Sequence, residues 1–457
     1  MTLDLSIYTI LQDGCVRARY FYGYNIVAAG FIIQAVSVGA MFTYGAFFKE
    51  FQAEFGWSRA AISGASSLAF LMMGLVGVIA GKMNDRIGPK VIIVASGISL
   101  GLGYLLMSRL QTLWQLYLIY GVLVGIGFST HDVITLSTVA RWFIRRRGMM
   151  SGIVKVGTGS GQFLVPLIAT LLITAYGWRN SYLIIGAVAL VIFVAVAQVL
   201  SRDPQGIGLR PDGDSNESYD DGNRFREESV TLKAAARTRQ FWILCVAEFA
   251  IFFCLLTVIV HIVPHAMDLE LTPPTAVGVL STIGCVSMLG RIVIGTANDK
   301  IGGKCSLVIC FILLLCGLVW LLIASEAWML FLFAVIYGFA HGGFFTVISP
   351  TIADLFGTGS HGVLFGIVLA SGTIGGAAGP LMAGRTFDVT GSYHTAFYVL
   401  ILLALTGFVM IALLKPRRQV AAGRSAFRIF ASLVRSLSGA GWQHVVRKLR
   451  FQVSGVR

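Results

Sequence analysis

Six titratable side chains interrupt stretches that otherwise read as hydrocarbon: His131 and Asp132 in STHDVITL, Lys155 in GIVKVG, Glu248 in CVAEFA, Arg291 in SMLGRIVIG and His341 in YGFAHGG. Burying such groups among apolar neighbours is costly, so each is expected to face a cavity or a partner. Arg291 carries permanently charged donors in a rigid fork that suits a carboxylate held by two parallel hydrogen bonds. Asp132, His341 and Glu248 are groups able to take up and release a proton. Tyr120 and Tyr337, which recur in two IYG triplets, either donate a phenolic hydrogen bond to a small ligand or serve as packing aromatics. No nucleophile stands beside a base, which argues against an enzyme.

Other candidate motifs lose their force in context. GTGSG (157–161) follows no strand and lies in an apolar helix, so it is not a dinucleotide loop. IGGKCS lacks the leading glycine of a phosphate loop. His261 and His265 have the i, i+4 spacing of metal ligands, but Pro264 interrupts the turn and a hydrated outer mouth is the better reading. The cysteines show no paired spacing and read as small packing residues. No cofactor or metal is expected.

The elements that must position these groups are membrane helices. Of 457 residues 56% are hydrophobic and 12% charged, and the mean hydropathy of +0.81 lies far outside the soluble range. Twelve apolar runs are marked, at 24–48, 59–81, 90–108, 114–140, 148–175, 179–201, 240–264, 275–298, 304–323, 328–355, 362–383 and 393–414. Each is near the ~20 residues needed to cross a ~30 Å hydrocarbon core. The fold class is therefore an all-α, twelve-span membrane protein. The first 22 residues lack a signal-peptide pattern, so the first span is expected to be an uncleaved anchor.

The net charge of +14 is a topology signal rather than a nucleic-acid footprint. With the N-terminus inside, short inner loops hold nine Lys/Arg and short outer loops five. Both termini are therefore expected in the cytoplasm of a cell-membrane protein. In that orientation Lys155 leans back toward the cytoplasm, where it snorkels or meets an inner-cavity ligand. Arg291 leans the other way, toward the midplane. It either binds a ligand there or pairs with Asp132 or Glu248 to hold the structure together. In the tail, 425–437 reads as a basic amphipathic helix on an anionic lipid surface.

The chain divides in two. Residues 202–239 lose hydrophobic periodicity and form a cytoplasmic linker between a first half, 1–201, and a second, 240–414, followed by a basic tail, 415–457. NDRIGPK (84–90) recurs as NDKIGGK (298–304), and at the same offset of 214 GMMSGIVKVGTGSGQFLVPL lies over GVLFGIVLASGTIGGAAGPL. Two six-span repeats related by an axis along the membrane normal resemble the major facilitator superfamily. GKMNDRIGPK resembles that superfamily's loop between spans two and three. FGWSRAAIS, ARWFIRRRGMMSGIVKVGTGSGQ and TRQFWIL resemble the branch of monocarboxylate transporters and oxalate/formate-type antiporters.

The resemblance implies a secondary transporter whose ligand sits between the halves. It also implies a cytoplasmic latch built from Gly81, Asp85, Arg86 and Gly88 and their repeats Asp299 and Gly302, in which Asp85 can face a helix N-terminus. Arg291 in span eight matches the branch's anion anchor. Span eleven has Leu369 where Lys155 stands in the first repeat, so one carboxylate per cycle is expected. Ser287 stands where animal relatives carry an aspartate. The expected function is symport of a small monocarboxylate of the lactate or pyruvate class with a proton, by a monomer in lipid. The alternatives are carboxylate exchange and, less well supported, a transporter-like receptor.

Overall fold

The computed structural model describes residues 20–213 and 230–415. The amphipathic stretch at 425–437 lies outside them. Among the described residues the regular structure is helical throughout, because an apolar segment in lipid must satisfy its backbone within itself. The first half comprises α1 (Gly23–Phe55), α2 (Arg59–Ile87), α3 (Pro89–Met107) and α4 (Leu113–Trp142). The run Arg147–Ala197 then breaks at Gly177 (φ 74°), which separates α5 (147–176) from α6 (178–197). The second half comprises α7 (Arg239–Asp268), α8 (Pro273–Ile301), α9 (Gly303–Leu321), α10 (Ala327–Phe356), α11 (His361–Thr390) and α12 (His394–Ala412). With the Gly177 break these are the twelve spans expected.

Local chemistry starts several of them. Ser58 accepts the Ala61 N–H, Thr112 and Gln115 form a capping box, Thr238 accepts the Phe241 N–H, and Pro89 and Pro273 stand in first turns. NDRIGPK and NDKIGGK are shorter hinges than the expected loops. α2 continues to Ile87 and α3 starts at Pro89, with Gly88 (φ 86°) as pivot; Gly302 (φ 81°) does the same between α8 and α9. A side chain would be strained at either angle.

The halves meet along α2 with α11 and α5 with α8. Asp85 accepts the Gly362 and Val363 N–H groups at 2.9 and 3.0 Å, while Asp299 accepts those of Gly148 and Met149 at 2.6 and 2.9 Å. Each carboxylate thus caps the free N–H groups at a helix start in the opposite half. The two contacts are related by the same 214-residue offset as the sequence repeat. Gly81 packs on the Gly362 backbone and Gly295 on that of Gly148, so closely that a side chain at either would overlap it.

The cation of this latch corrects one expectation. The Arg86 side chain is exposed, and it is Arg141 that pairs with Asp85, at 2.5 Å. Arg147 reaches across the halves to Asp354 at 2.7 Å. The linker is docked at its described ends: Arg202 donates to the Asp85 and Arg86 carbonyls, Asp212 accepts the Ile144 and Arg145 N–H groups, and Val230 N–H donates to the Phe356 carbonyl. Described cross-half hydrogen bonds extend from this rim to Arg291, and none is made beyond it among the described residues.

Gly81→Val should force this rim open. Spin labels at the exposed Lys82 and Lys300 are expected to show a longer mean distance in the variant; an unchanged distribution would mean that the glycine contact does not hold the halves together.

Candidate functional site

In the first half, a buried polar cluster joins α1, α4 and α5. Asp132 Oδ1 accepts from Lys155 Nζ at 2.5 Å and from Gln34 Nε2 at 2.8 Å. Gln34 Nε2 also reaches the His131 carbonyl and Thr135 Oγ1, both at 3.1 Å, and Gln34 Oε1 accepts from Thr158 Oγ1 at 2.8 Å. His131 Nε2 stands 3.5 Å from the other Asp132 oxygen. The backbone explains the placement. α4 is π-helical over Tyr117–Val124, its next turn ends at Phe128, and a new α-helical segment starts at His131. Asp132 therefore lies in a first helical turn, where free N–H groups favour a carboxylate.

Lys155 does not snorkel. It is 2% exposed, and its charge is matched by Asp132. Arg291, equally buried, has no such match. Its Nη1 donates to the Lys155 carbonyl at 2.5 Å, linking α8 to α5 across the halves, and its Nε has no partner. Among the described residues it forms no ion pair, so the alternative in which Asp132 or Glu248 neutralises it is not what the structure contains. Its backbone lies on Gly152, and Gly159, two turns further along α5, leaves space beside the guanidinium: a Cβ there would come within 3.1 Å of Nη1. Phe345 presents its ring to both cations, at 5.0 Å from Lys155 Nζ and 6.0 Å from Arg291 Cζ. Phe252 packs against that ring at 5.2 Å.

Glu248 is buried in α7 with Oε2 unpartnered. The repeat gives the reason. At the 214-residue offset Glu248 replaces Gln34, but Asp132, Lys155 and His131 are replaced by Thr346, Leu369 and Phe345. The second half thus keeps an acid and lacks the groups that would hold it. His341 is partly exposed, its Nδ1 is unpartnered, and its ring lies 5.0 Å from Phe345.

The tyrosines fall outside the cluster. Tyr120 donates to the Met41 carbonyl at 3.4 Å and Tyr337 to the Leu255 carbonyl at 2.7 Å. Met41 and Leu255 are themselves repeat equivalents, so both hydroxyls tie a span to the first helix of its own half. This corrects their candidacy as ligand donors. At the far side, His265 is buried against Tyr393 and Phe397 rather than hydrated. His261 contacts Tyr393 Oη and the Pro380 carbonyl. The sequence reading missed Gln34, Thr158 and Phe345; the 214-residue match of Gln34 to Glu248 was the available signal.

Two six-helix halves, latched at one rim around an unpaired buried arginine, define a membrane transporter of the two-half type. The chain belongs to the major facilitator superfamily, whose family model matches residues 30–325 and 274–453, and it is similar to that superfamily's monocarboxylate transporters. It is 28% identical over 388 residues to monocarboxylate transporter 13 of Rattus norvegicus, spanning 83% of this chain and 85% of the relative. To monocarboxylate transporter 12 of Rattus norvegicus it is 26% identical, spanning 87% of each. The crystal structure of the transporter FucP in the outward conformation superposes with a TM-score of 0.67 at 14% identity, covering 86% of this chain and 99% of that one.

The Lys155–Asp132 pair generates a stability prediction. Lys155→Ala should leave Asp132 buried and uncompensated and cost about 3–5 kcal/mol. Adding Asp132→Ala should recover most of that in thermal unfolding in detergent. A single variant as stable as the double would show that the pair carries no such coupling.

Proposed function

We propose that the protein carries a small monocarboxylate of the lactate or pyruvate class together with a proton, with Arg291 as the carboxylate-binding group. The observation that carries this reading is that Arg291 is the buried site cation with no carboxylate partner among the described residues, whereas Lys155 already has one. One unmatched fork suits one carboxylate. Phe345, Phe252 and Met288, whose Cε lies on the Gly159 side of the guanidinium, offer an apolar wall for a short carbon chain. The relatives named monocarboxylate transporters support the same substrate class.

The latched rim carries Lys82, Arg86, Lys90, Lys300 and Lys304, which supports a cytoplasmic position for it and an outward-facing state for this conformation. An anion arriving from outside would take up Arg291 donors, including the one now given to the Lys155 carbonyl. Losing that cross-half hydrogen bond links binding to movement of α5 against α8. Glu248 is our choice for the proton carrier, ahead of Asp132 and His341. Protonating it breaks no ion pair, whereas protonating Asp132 would strand Lys155.

The test is uptake of labelled lactate into proteoliposomes. An acidic exterior should drive accumulation; uptake only against a trapped internal carboxylate would instead establish exchange, and binding without flux would establish a receptor. Arg291→Lys keeps the charge but loses the fork, so lactate transport should fall at least tenfold, roughly the loss of one charge-assisted hydrogen bond. Unchanged transport would remove Arg291 from the site. Glu248→Gln should abolish accumulation driven by the pH gradient while preserving lactate–lactate exchange. If gradient-driven accumulation survives in that variant, the proton travels elsewhere.

A further inference from the structure

α1 and α5 touch at mid-span, where Gly157 and Gly161 lie directly on the Phe31 and Ala35 backbone and leave no room for a side chain. Toward the latched rim the two helices part. The wedge between them is an open groove of about 620 Å³. Its walls are apolar, formed by Val27, Phe31, Ile32, Met149 and Ile153, with Arg146 and Tyr24 as its polar groups. From Tyr24 to the contact of Phe31 with Gly157 the wedge runs about 10 Å at 1.5 Å per residue. That is roughly two-thirds of one leaflet's share of a ~30 Å hydrocarbon core. Ile32 and Ala28 on its wall are exposed, so the wedge opens on the outer surface of the half.

The polar end is as specific as the apolar one. Arg146 is exposed, its Nη1 lies 3.4 Å from Tyr24 Oη, and among the described residues it forms no ion pair. A cation and a phenol at headgroup level, above an apolar slot that reaches into one leaflet, match a phosphate ester that carries an acyl chain. Free phosphate would leave the slot unfilled, and a peptide would bring backbone groups into it that nothing there satisfies.

We propose that this wedge is a binding site for one anionic phospholipid, its phosphate on Arg146 and Tyr24 and one acyl chain between α1 and α5. The lipid sits behind the working face of α5. Met149, on the groove wall, gives its N–H to Asp299, and Gly152, beside Ile153, carries the Arg291 backbone. A filled wedge therefore supports α5 against α8 and favours the latched conformation. This holds whatever solute the protein carries.

The test compares phosphatidylglycerol with phosphatidylcholine on the purified full chain, by native mass spectrometry of retained lipid and by thermal stability in detergent–lipid mixtures. Wild type should retain one phosphatidylglycerol and be stabilised by it over phosphatidylcholine. Arg146→Gln should weaken that preference roughly fivefold, the effect of one basic contact near an anionic surface. Ala28→Trp, which fills the slot from an exposed position, should abolish retention of the bound lipid while leaving the headgroup cation in place. Lys82→Gln, at the same rim outside the wedge, should leave the preference intact. Retention unchanged in both wedge variants, or lowered equally by Lys82→Gln, would overturn the site in favour of diffuse surface charge.

Discussion

Inside a bundle surrounded by lipid, a charge must be matched or given something to match, and Arg291 is matched by no carboxylate among the described residues. Around it the remaining ions are arranged in an ordered way. Lys155 has Asp132, Asp132 has Gln34 as well, and the Lys155 backbone carbonyl, rather than its side chain, is what Arg291 holds. The guanidinium is thus tied to the opposite half by a neutral acceptor. A neutral acceptor gives up a donor to an incoming carboxylate more readily than an ionised partner would.

Pseudo-symmetry makes that arrangement possible and then departs from it where chemistry is needed. The latch obeys the repeat closely: Asp85 and Asp299 cap equivalent helix starts, and Gly81 and Gly295 allow equivalent backbone contacts. Further into the interface the copies diverge. Arg291 corresponds to Gly77, Lys155 to Leu369 and Asp132 to Thr346. The first half keeps an internally satisfied polar cluster, and the second contributes the free arginine and the acid without a cation. Symmetry is kept where the halves meet at the latch, and the proposed anion site would need only one copy of its cation.

Latch and site lie on the same helices, which ties conformation to binding. α5 starts at the N–H groups capped by Asp299, continues past Gly152 on the Arg291 backbone and offers the Lys155 carbonyl one turn later. A displacement of α5 along α8 cannot occur without disturbing all three. The wedge against α1 lies on the other side of the same stretch, where the proposed lipid would bear on α5.

Much of the architecture was legible in the sequence because lipid imposes simple rules. Apolar run length gave the twelve spans, and the repeated NDRIGPK and GMMSG segments gave the two halves and the aspartates of the latch. The isolated charges gave Lys155, Glu248 and Arg291 as residues to watch. Tertiary structure alone decided who partners whom. Arg141 rather than Arg86 pairs with Asp85 because side-chain direction at a helix end depends on the packing of both halves, and a run of basic residues does not disclose it. Tyr120 and Tyr337 turned from ligand candidates into packing groups because each hydroxyl meets a carbonyl roughly 80 residues away in sequence. The sequence determined which groups enter the membrane; only the fold, by bringing α1, α4, α5, α7 and α8 together, decided which of those charges is left without a carboxylate partner among the described residues.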